Sequence, residues 1–64
     1  MRTTAFRTMM SQEFGDMRAG SIARDHVFAD LGGRTVDEAL AAGLPPQRIW
    51  QAVCEAFDVP ADRR

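Results

Sequence analysis

The sequence predicts an all-α protein, built as a single small domain of about four short helices. Apolar residues recur at intervals of three and four along most of the chain, which is the periodicity of helices with one buried face. Glycines, prolines and N-capping residues divide this pattern into short segments, and there is no internal repeat. Because 64 residues form at most one domain, we assign residues 1–64 to a single helical domain with a frayed tail from about residue 61.

The first predicted helix runs from Thr3 to Phe14. Its apolar residues have the i, i+3, i+4, i+8 spacing of an amphipathic helix: Phe6, Met9, Met10 and Phe14. Thr3 or Thr4 can accept a hydrogen bond from a free N–H group of the first turn. Gly15 can adopt the left-handed conformation that ends a helix.

A second helix is predicted from Ile22 to Leu31, after a short connection formed by residues 16–21. Ala23, Val27 and Leu31 recur every four residues and are expected to share the buried face of this helix. Gly32 follows the last apolar residue and is expected to end the helix.

A capping box is expected to begin the third helix. The Thr35 hydroxyl accepts a hydrogen bond from the N–H of Glu38, and the Glu38 carboxylate accepts one from the N–H of Thr35. Gly43 is expected to end this helix after two turns, with Val36 and Leu40 on the inner face.

The fourth helix is predicted from Pro46 to Phe57. Pro46 suits the first helical position, where its missing N–H would have no partner anyway, and the helix must end before Pro60. The residues expected to be buried are Ile49, Trp50, Val53 and Phe57. With Gly43 at the turn between them, the last two helices have the spacing of a helix-turn-helix-like arrangement.

Charge and composition restrict the functions that the chain can have. A net charge of −1 argues against a general polyanion binder. The single cysteine cannot form an internal disulfide, so we expect a cytoplasmic location. No apolar run reaches the roughly 18 residues of a membrane span, and we expect no membrane partner. The small core leaves a monomer and a weak homodimer open.

Short motifs spread over most of the chain carry a resemblance to a known family. They are Met1-Arg2, Phe6, Phe14-Gly15, Ala23-Arg24-Asp25-His26-Val27, Leu31-Gly32-Gly33-Arg34-Thr35, Glu38-Ala39-Leu40, Pro46, Trp50, Ala52-Val53-Cys54 and Val59-Pro60. Together they resemble the actinobacterial domain of unknown function 3046 family. Arg7 departs from the family pattern, in which an aromatic residue often follows the phenylalanine. The family has no established activity, so the resemblance implies a small helical protein and no particular reaction.

No residue pattern predicts catalysis, a cofactor or a metal site. His26, Asp30 and Cys54 would give three zinc ligands at most, whereas a structural zinc site has four. The same Cys54–His26 pair lacks the third group and the oxyanion hole that a cysteine nucleophile needs. Gly32-Gly33-Arg34-Thr35 offers N–H groups to an anion, but without the strand and longer glycine loop of a nucleotide site we interpret it as a capping turn. We therefore predict a non-enzyme without cofactor or metal.

The fourth helix carries the functional candidates. Trp50, with apolar neighbours and nearby arginines, has the character of a protein-interface residue, although a position at the centre of the core is the favoured interpretation. We predict a non-catalytic module that binds a protein partner or regulates it. The candidate interaction surface consists of Trp50, Arg48, Gln47, Gln51 and Arg34.

DNA is the alternative partner. In an auxiliary DNA-binding domain of the helix-turn-helix type, Gln47, Arg48 and Gln51 would contact base edges at the start of the recognition helix. Arg34 and Arg48 would contact phosphates. Acidic residues on the last two helices oppose these contacts, so the charge distribution favours a protein partner over DNA.

Overall fold

A computed structural model describes all residues from Met1 to Arg64. Four α-helices follow one another along the chain, α1 (Thr3–Phe14), α2 (Asp16–Asp25), α3 (Val36–Ala41) and α4 (Pro46–Phe57), together with two 3₁₀ turns, Ala29–Leu31 and Ala61–Arg63. The predicted all-α class and the number of helices are confirmed. None of these helices combines the length and the apolar character needed to cross a bilayer.

The first helix has the predicted bounds, but its start differs from the prediction. Gly15 ends α1 with a positive φ of 84°, which only glycine adopts without strain. Arg2 occupies the N-cap position, and no side chain caps the helix. The prediction that Thr3 or Thr4 caps α1 is wrong, because Thr3 already belongs to the first helical turn.

The second helix lies six residues earlier than predicted. α2 begins at Asp16, directly after Gly15, so the predicted connection at residues 16–21 is helical. The Asp16 carboxylate lies in the first turn, where the helix dipole favours negative charge. α2 ends at Asp25, and the N–H of His26 donates to the Ile22 carbonyl.

A closed loop follows α2 in place of the predicted helical turns. His26 and Phe28 have extended backbone conformations. The Phe28 N–H donates to the Arg34 carbonyl, and the Phe28 carbonyl accepts from the N–H of Gly33. This loop buries Phe28 and Leu31, while Val27 is 57% exposed. The prediction that Val27 lies on the buried face is therefore wrong.

The segment that joins the loop to the last helices has the predicted local structure. The Glu38 N–H donates to the Thr35 hydroxyl at 3.1 Å, and the Thr35 N–H donates to the Glu38 carboxylate at 2.9 Å. This confirms the capping box. The bounds of α4 are also as predicted, with Pro46 in the first turn. α3 and α4 contact each other across residues 42–45, and their crossing at the angle of a helix-turn-helix stays a prediction.

The core is centred on α4. This helix contributes five of the fifteen buried hydrophobic residues, namely Ile49, Trp50, Ala52, Val53 and Cys54. Phe6 and Met10 of α1 and Val36 and Ala39 of α3 are buried in the same cluster. Residues 61–63 form a 3₁₀ turn, in which Arg63 pairs with Glu13 at 3.0 Å, and fraying of the tail from about residue 61 stays a prediction.

Candidate interaction surface

A groove of about 690 Å³ runs along the outer side of α4. Its lining residues are Met1, Asp30, Gln47, Arg48, Trp50, Gln51, Ala52, Cys54, Glu55 and Arg64. The structure therefore brings together four of the five residues of the predicted interaction surface. The fifth, Arg34, does not line the groove, and its guanidinium donates to the Leu31 carbonyl at 3.1 Å.

Trp50 belongs to the core and is not an exposed interface residue. Only 3% of its surface is accessible, and its ring meets the edge of the Phe6 ring at a centroid distance of 6.2 Å and an angle of 80°. The interpretation of Trp50 as an exposed interface residue is wrong, because α1 places Phe6 against it. The alternative interpretation, a central core residue, is the one that the structure shows.

The Trp50 side chain retains one unusual polar feature. Its Nε1 is buried and has no hydrogen-bond partner in the protein. Most buried polar side-chain atoms have such a partner, so this N–H is an exception that calls for an explanation. Trp50 thus contributes a ring to the core, is one of the residues that line the groove along α4, and carries a buried donor without an acceptor in the protein.

A second groove of about 240 Å³, lined mainly by hydrophobic residues, lies beside the first. Its lining residues are His26, Val27, Phe28, Ala29, Asp30, Ala52 and Ala56. Asp30 and Ala52 line both grooves, so the two adjoin each other. We call the surface formed by residues 26–30 and the groove-lining side of α4 the composite surface.

Aromatic contacts fix the loop part of the composite surface. The His26 ring lies 4.5 Å from the Phe28 ring and 5.0 Å from the Phe57 ring, measured between centroids. These contacts join the end of α2 to the end of α4 and hold the backbone on either side of Val27. Val27, Ala29 and Ala56 were not among the predicted interaction residues, because the smaller groove lies between the unpredicted loop and α4.

Most arginines already have partners within the chain. Three form ion pairs with carboxylates at 2.8–3.1 Å, namely Arg7 with Asp37, Arg63 with Glu13 and Arg64 with Glu55. Arg48 donates to the Asp30 carbonyl at 3.4 Å. Arg18 lies over the rings of Phe14 and Phe57. Few arginines are therefore free of contacts within the fold.

The residues considered for metal binding or nucleophilic catalysis are poorly placed for either role. Cys54 is fully buried, and burial raises the pKa of its thiol. A thiol with a raised pKa is a weak nucleophile and a weak metal ligand, since both roles need the thiolate. His26 is exposed and stacks against phenylalanine rings. No group of three or more His, Cys, Asp or Glu side chains could hold a metal ion.

Comparison with known proteins places the chain in a family without assigning an activity. No solved structure matches it. A protein of Mycobacterium tuberculosis with the name "Putative envelope-preserving system protein Rv2742c" is 44% identical over 36 residues, which cover 56% of this chain and 13% of that protein. The chain thus spans only a small part of this relative's length. The family described as "Protein of unknown function (DUF3046)" matches residues 1–62. The chain therefore belongs to this family, as its motifs indicate.

Proposed function

We propose that the protein is a non-catalytic module that binds another protein in the cytoplasm through the composite surface. The observation that carries this proposal is the exposed valine in the smaller of two adjoining grooves. Val27 is 57% exposed and lines the smaller groove together with Ala29 and Ala56. Gln47, Arg48 and Gln51 border the larger groove. An apolar centre with a polar margin is the usual composition of a protein–protein interface.

The fold explains why residue 27 points outward, but not why it is apolar. Successive side chains of an extended segment point to opposite sides. Because Phe28 is buried and its N–H is bound to the Arg34 carbonyl, the side chain of Val27 must face solvent. A polar residue would satisfy this geometry equally well. An exposed valine at this position is consistent with burial in a complex.

The charge distribution favours protein over DNA as the partner. Gln47, Arg48 and Gln51 are exposed near the start of α4, as a recognition helix requires. Affinity for DNA, however, depends on cations that neutralise phosphates. Arg48 and Arg64 in the larger groove are balanced by Asp30 and Glu55. The larger groove is therefore close to neutral overall.

Capture of partners from a lysate of the producing cells tests the proposal when it is combined with matched variants. Val27→Asp places a carboxylate in the composite surface. Met17→Asp makes a similar apolar-to-acidic change on α2 at a site that is 91% exposed and lines neither groove. We expect the wild type and Met17→Asp to enrich the same protein after nuclease treatment, and Val27→Asp to lose it.

Two results would overturn this proposal. The first is a protein captured equally well by the wild type and by both variants, because the composite surface would then not be the binding site. The second is a nuclease-sensitive capture together with a salt-dependent shift of duplex DNA at low ionic strength, which would establish the DNA-binding alternative. Thermal unfolding of the variants checks that each is folded.

A further inference from the structure

We infer that the larger groove binds a peptide-type carbonyl group of the partner, and that the Trp50 indole N–H donates a hydrogen bond to it. This inference rests on the proposed function and specifies the chemistry of the partner. It starts from the one buried side-chain polar atom that has no hydrogen-bond partner in the protein, Nε1 of Trp50. Because buried donors in folded proteins are nearly always paired, we assign the acceptor of this N–H to a group from outside the chain.

The position of Trp50 makes an external acceptor feasible. The residue lines the larger groove, although only 3% of its surface is accessible. Side chains with several rotatable bonds, Met1, Gln47 and Gln51, line the same groove. Of these, Met1 is 47% exposed, and methionine side chains change conformation easily. Binding requires that rotation of these side chains opens a path to the indole N–H, and the titration below tests this requirement.

The groove chemistry favours a neutral amide over an anion. The arginines and acidic residues among the lining residues balance in number, with Arg48 and Arg64 against Asp30 and Glu55. A carboxylate would therefore meet repulsion as well as attraction. The side-chain amides of Gln47 and Gln51 can each donate and accept hydrogen bonds. This combination matches the carbonyl and N–H groups of a peptide backbone.

The single tryptophan makes the inference directly measurable. A ¹⁵N-labelled sample gives one indole N–H resonance, which belongs to Trp50. We expect titration with N-acetylglycine N-methylamide, a neutral peptide-backbone probe, to shift this resonance in a saturable way. A dissociation constant on the order of 1–10 mM is expected for a ligand of this size. Sodium acetate at the same ionic strength as a sodium chloride control is expected to give a smaller shift without saturation.

Other outcomes of this titration overturn the inference. Saturation by acetate and not by the amide would show that the acceptor is a carboxylate. A shift that rises linearly, as the resonance of free N-acetyltryptophanamide does, would reflect the change of solvent alone. Absence of any shift would show that the indole N–H is closed to ligands.

Trp50→Phe provides a second test, since phenylalanine keeps an aromatic ring but has no N–H donor. In this variant we follow binding of the same amide by the side-chain N–H₂ resonances of Gln47 and Gln51. We expect the dissociation constant to rise about fivefold, as for loss of one hydrogen bond. An unchanged constant in folded protein would overturn the inference. If Trp50→Phe does not fold, the wild-type titration decides alone.

The failure of this inference can be distinguished from the failure of the proposed function. Val27 lines the smaller groove and not the larger one. Val27→Asp is therefore expected to abolish protein capture and to leave the response of the indole resonance to the amide unchanged. If capture depends on Val27 but the indole does not respond to the amide, the proposed function stands and the carbonyl site is wrong.

Discussion

Replacement of Phe6 by leucine tests the contact that buries Trp50. Phe6 is fully buried, and its ring meets Trp50 edge to face at 6.2 Å. The aromatic pair contributes about 0.5–1.5 kcal/mol beyond the buried area. The change of side-chain shape costs up to about 1.5 kcal/mol more. We therefore expect Phe6→Leu to lower the free energy of unfolding by about 2 kcal/mol.

This loss is large for so small a domain. Stabilities of about 0.05–0.15 kcal/mol per residue give roughly 3–10 kcal/mol for the whole chain. A loss of about 2 kcal/mol corresponds to a decrease of roughly 8–16 °C in the unfolding temperature. Circular dichroism measures this change. Trp50 fluorescence and acrylamide quenching, measured on folded protein, report the exposure of the indole, since the chain contains one tryptophan and no tyrosine.

Phe14→Leu is the matched control, because it makes the same change on the same helix. Phe14 is partly buried, and the centroid of its ring lies 5.2 Å from that of Phe57. We expect a smaller loss of stability and no change in Trp50 quenching. The reasoning is refuted if the wild-type tryptophan is quenched as readily as a free indole, or if Phe6→Leu and Phe14→Leu have equal effects on stability and quenching.

Three further predictions concern the capping box, the buried thiol and the pair between α1 and α3. Thr35→Ala removes the acceptor for the Glu38 N–H and is expected to cost about 1 kcal/mol, while Thr35→Ser costs much less; equal losses in urea unfolding would contradict the capping role. Burial raises the pKa of the Cys54 thiol, so the folded state binds its proton more tightly and stability falls as the pH rises through and above the ordinary thiol pKa of 9.0. The chain has neither lysine nor tyrosine, so the loss of stability between about pH 9 and 11 should disappear in Cys54→Ala. Urea midpoints at several pH values measure this loss. The same loss in Cys54→Ala would show that the Cys54 thiol does not cause it. Arg7→Gln removes an ion pair with Asp37 in which each side chain is more than 40% exposed, so the unfolding free energy should change by less than about 1 kcal/mol; a larger loss in thermal unfolding would show that this pair holds α1 against α3.

Local signals in the sequence were sufficient to predict the features of the fold that depend only on neighbouring residues. Gly15 ends α1, Thr35 and Glu38 form the capping box, and α4 has its predicted bounds at Pro46 and Phe57. Each signal acts within one helical turn. Positive φ, reciprocal capping bonds and the missing N–H of proline do not depend on the rest of the fold.

The position of α2 could not be derived in the same way. The spacing of Ala23, Val27 and Leu31 fits a helix, but Phe28 pairs with Arg34, six residues later, and ends the helical run. A 3₁₀ turn then buries Phe28 and Leu31 at a spacing of three residues. This pairing across a loop outweighs the helical periodicity and exposes Val27.

The candidate site was predicted in part. Gln47, Arg48 and Gln51 line the larger groove. They could be predicted because the helical spacing of the buried residues of α4 determines which of its side chains face outward. The spacing of α4 predicted a buried Trp50, but it did not identify the ring that Trp50 packs against, that of Phe6, which is 44 positions away in the sequence. Such a long-range contact leaves no periodic signal, and the smaller groove depends on the unpredicted loop.

The affinity of a captured partner for three forms of the protein tests the central claim most directly. Calorimetric titration compares the wild type, Val27→Asp and Met17→Asp, each confirmed as folded by its thermal midpoint. We expect Val27→Asp to weaken binding by about tenfold or more, the effect of a central interface substitution, and Met17→Asp to bind as the wild type does. Equal affinities for all three forms would contradict the claim that the composite surface is the binding site.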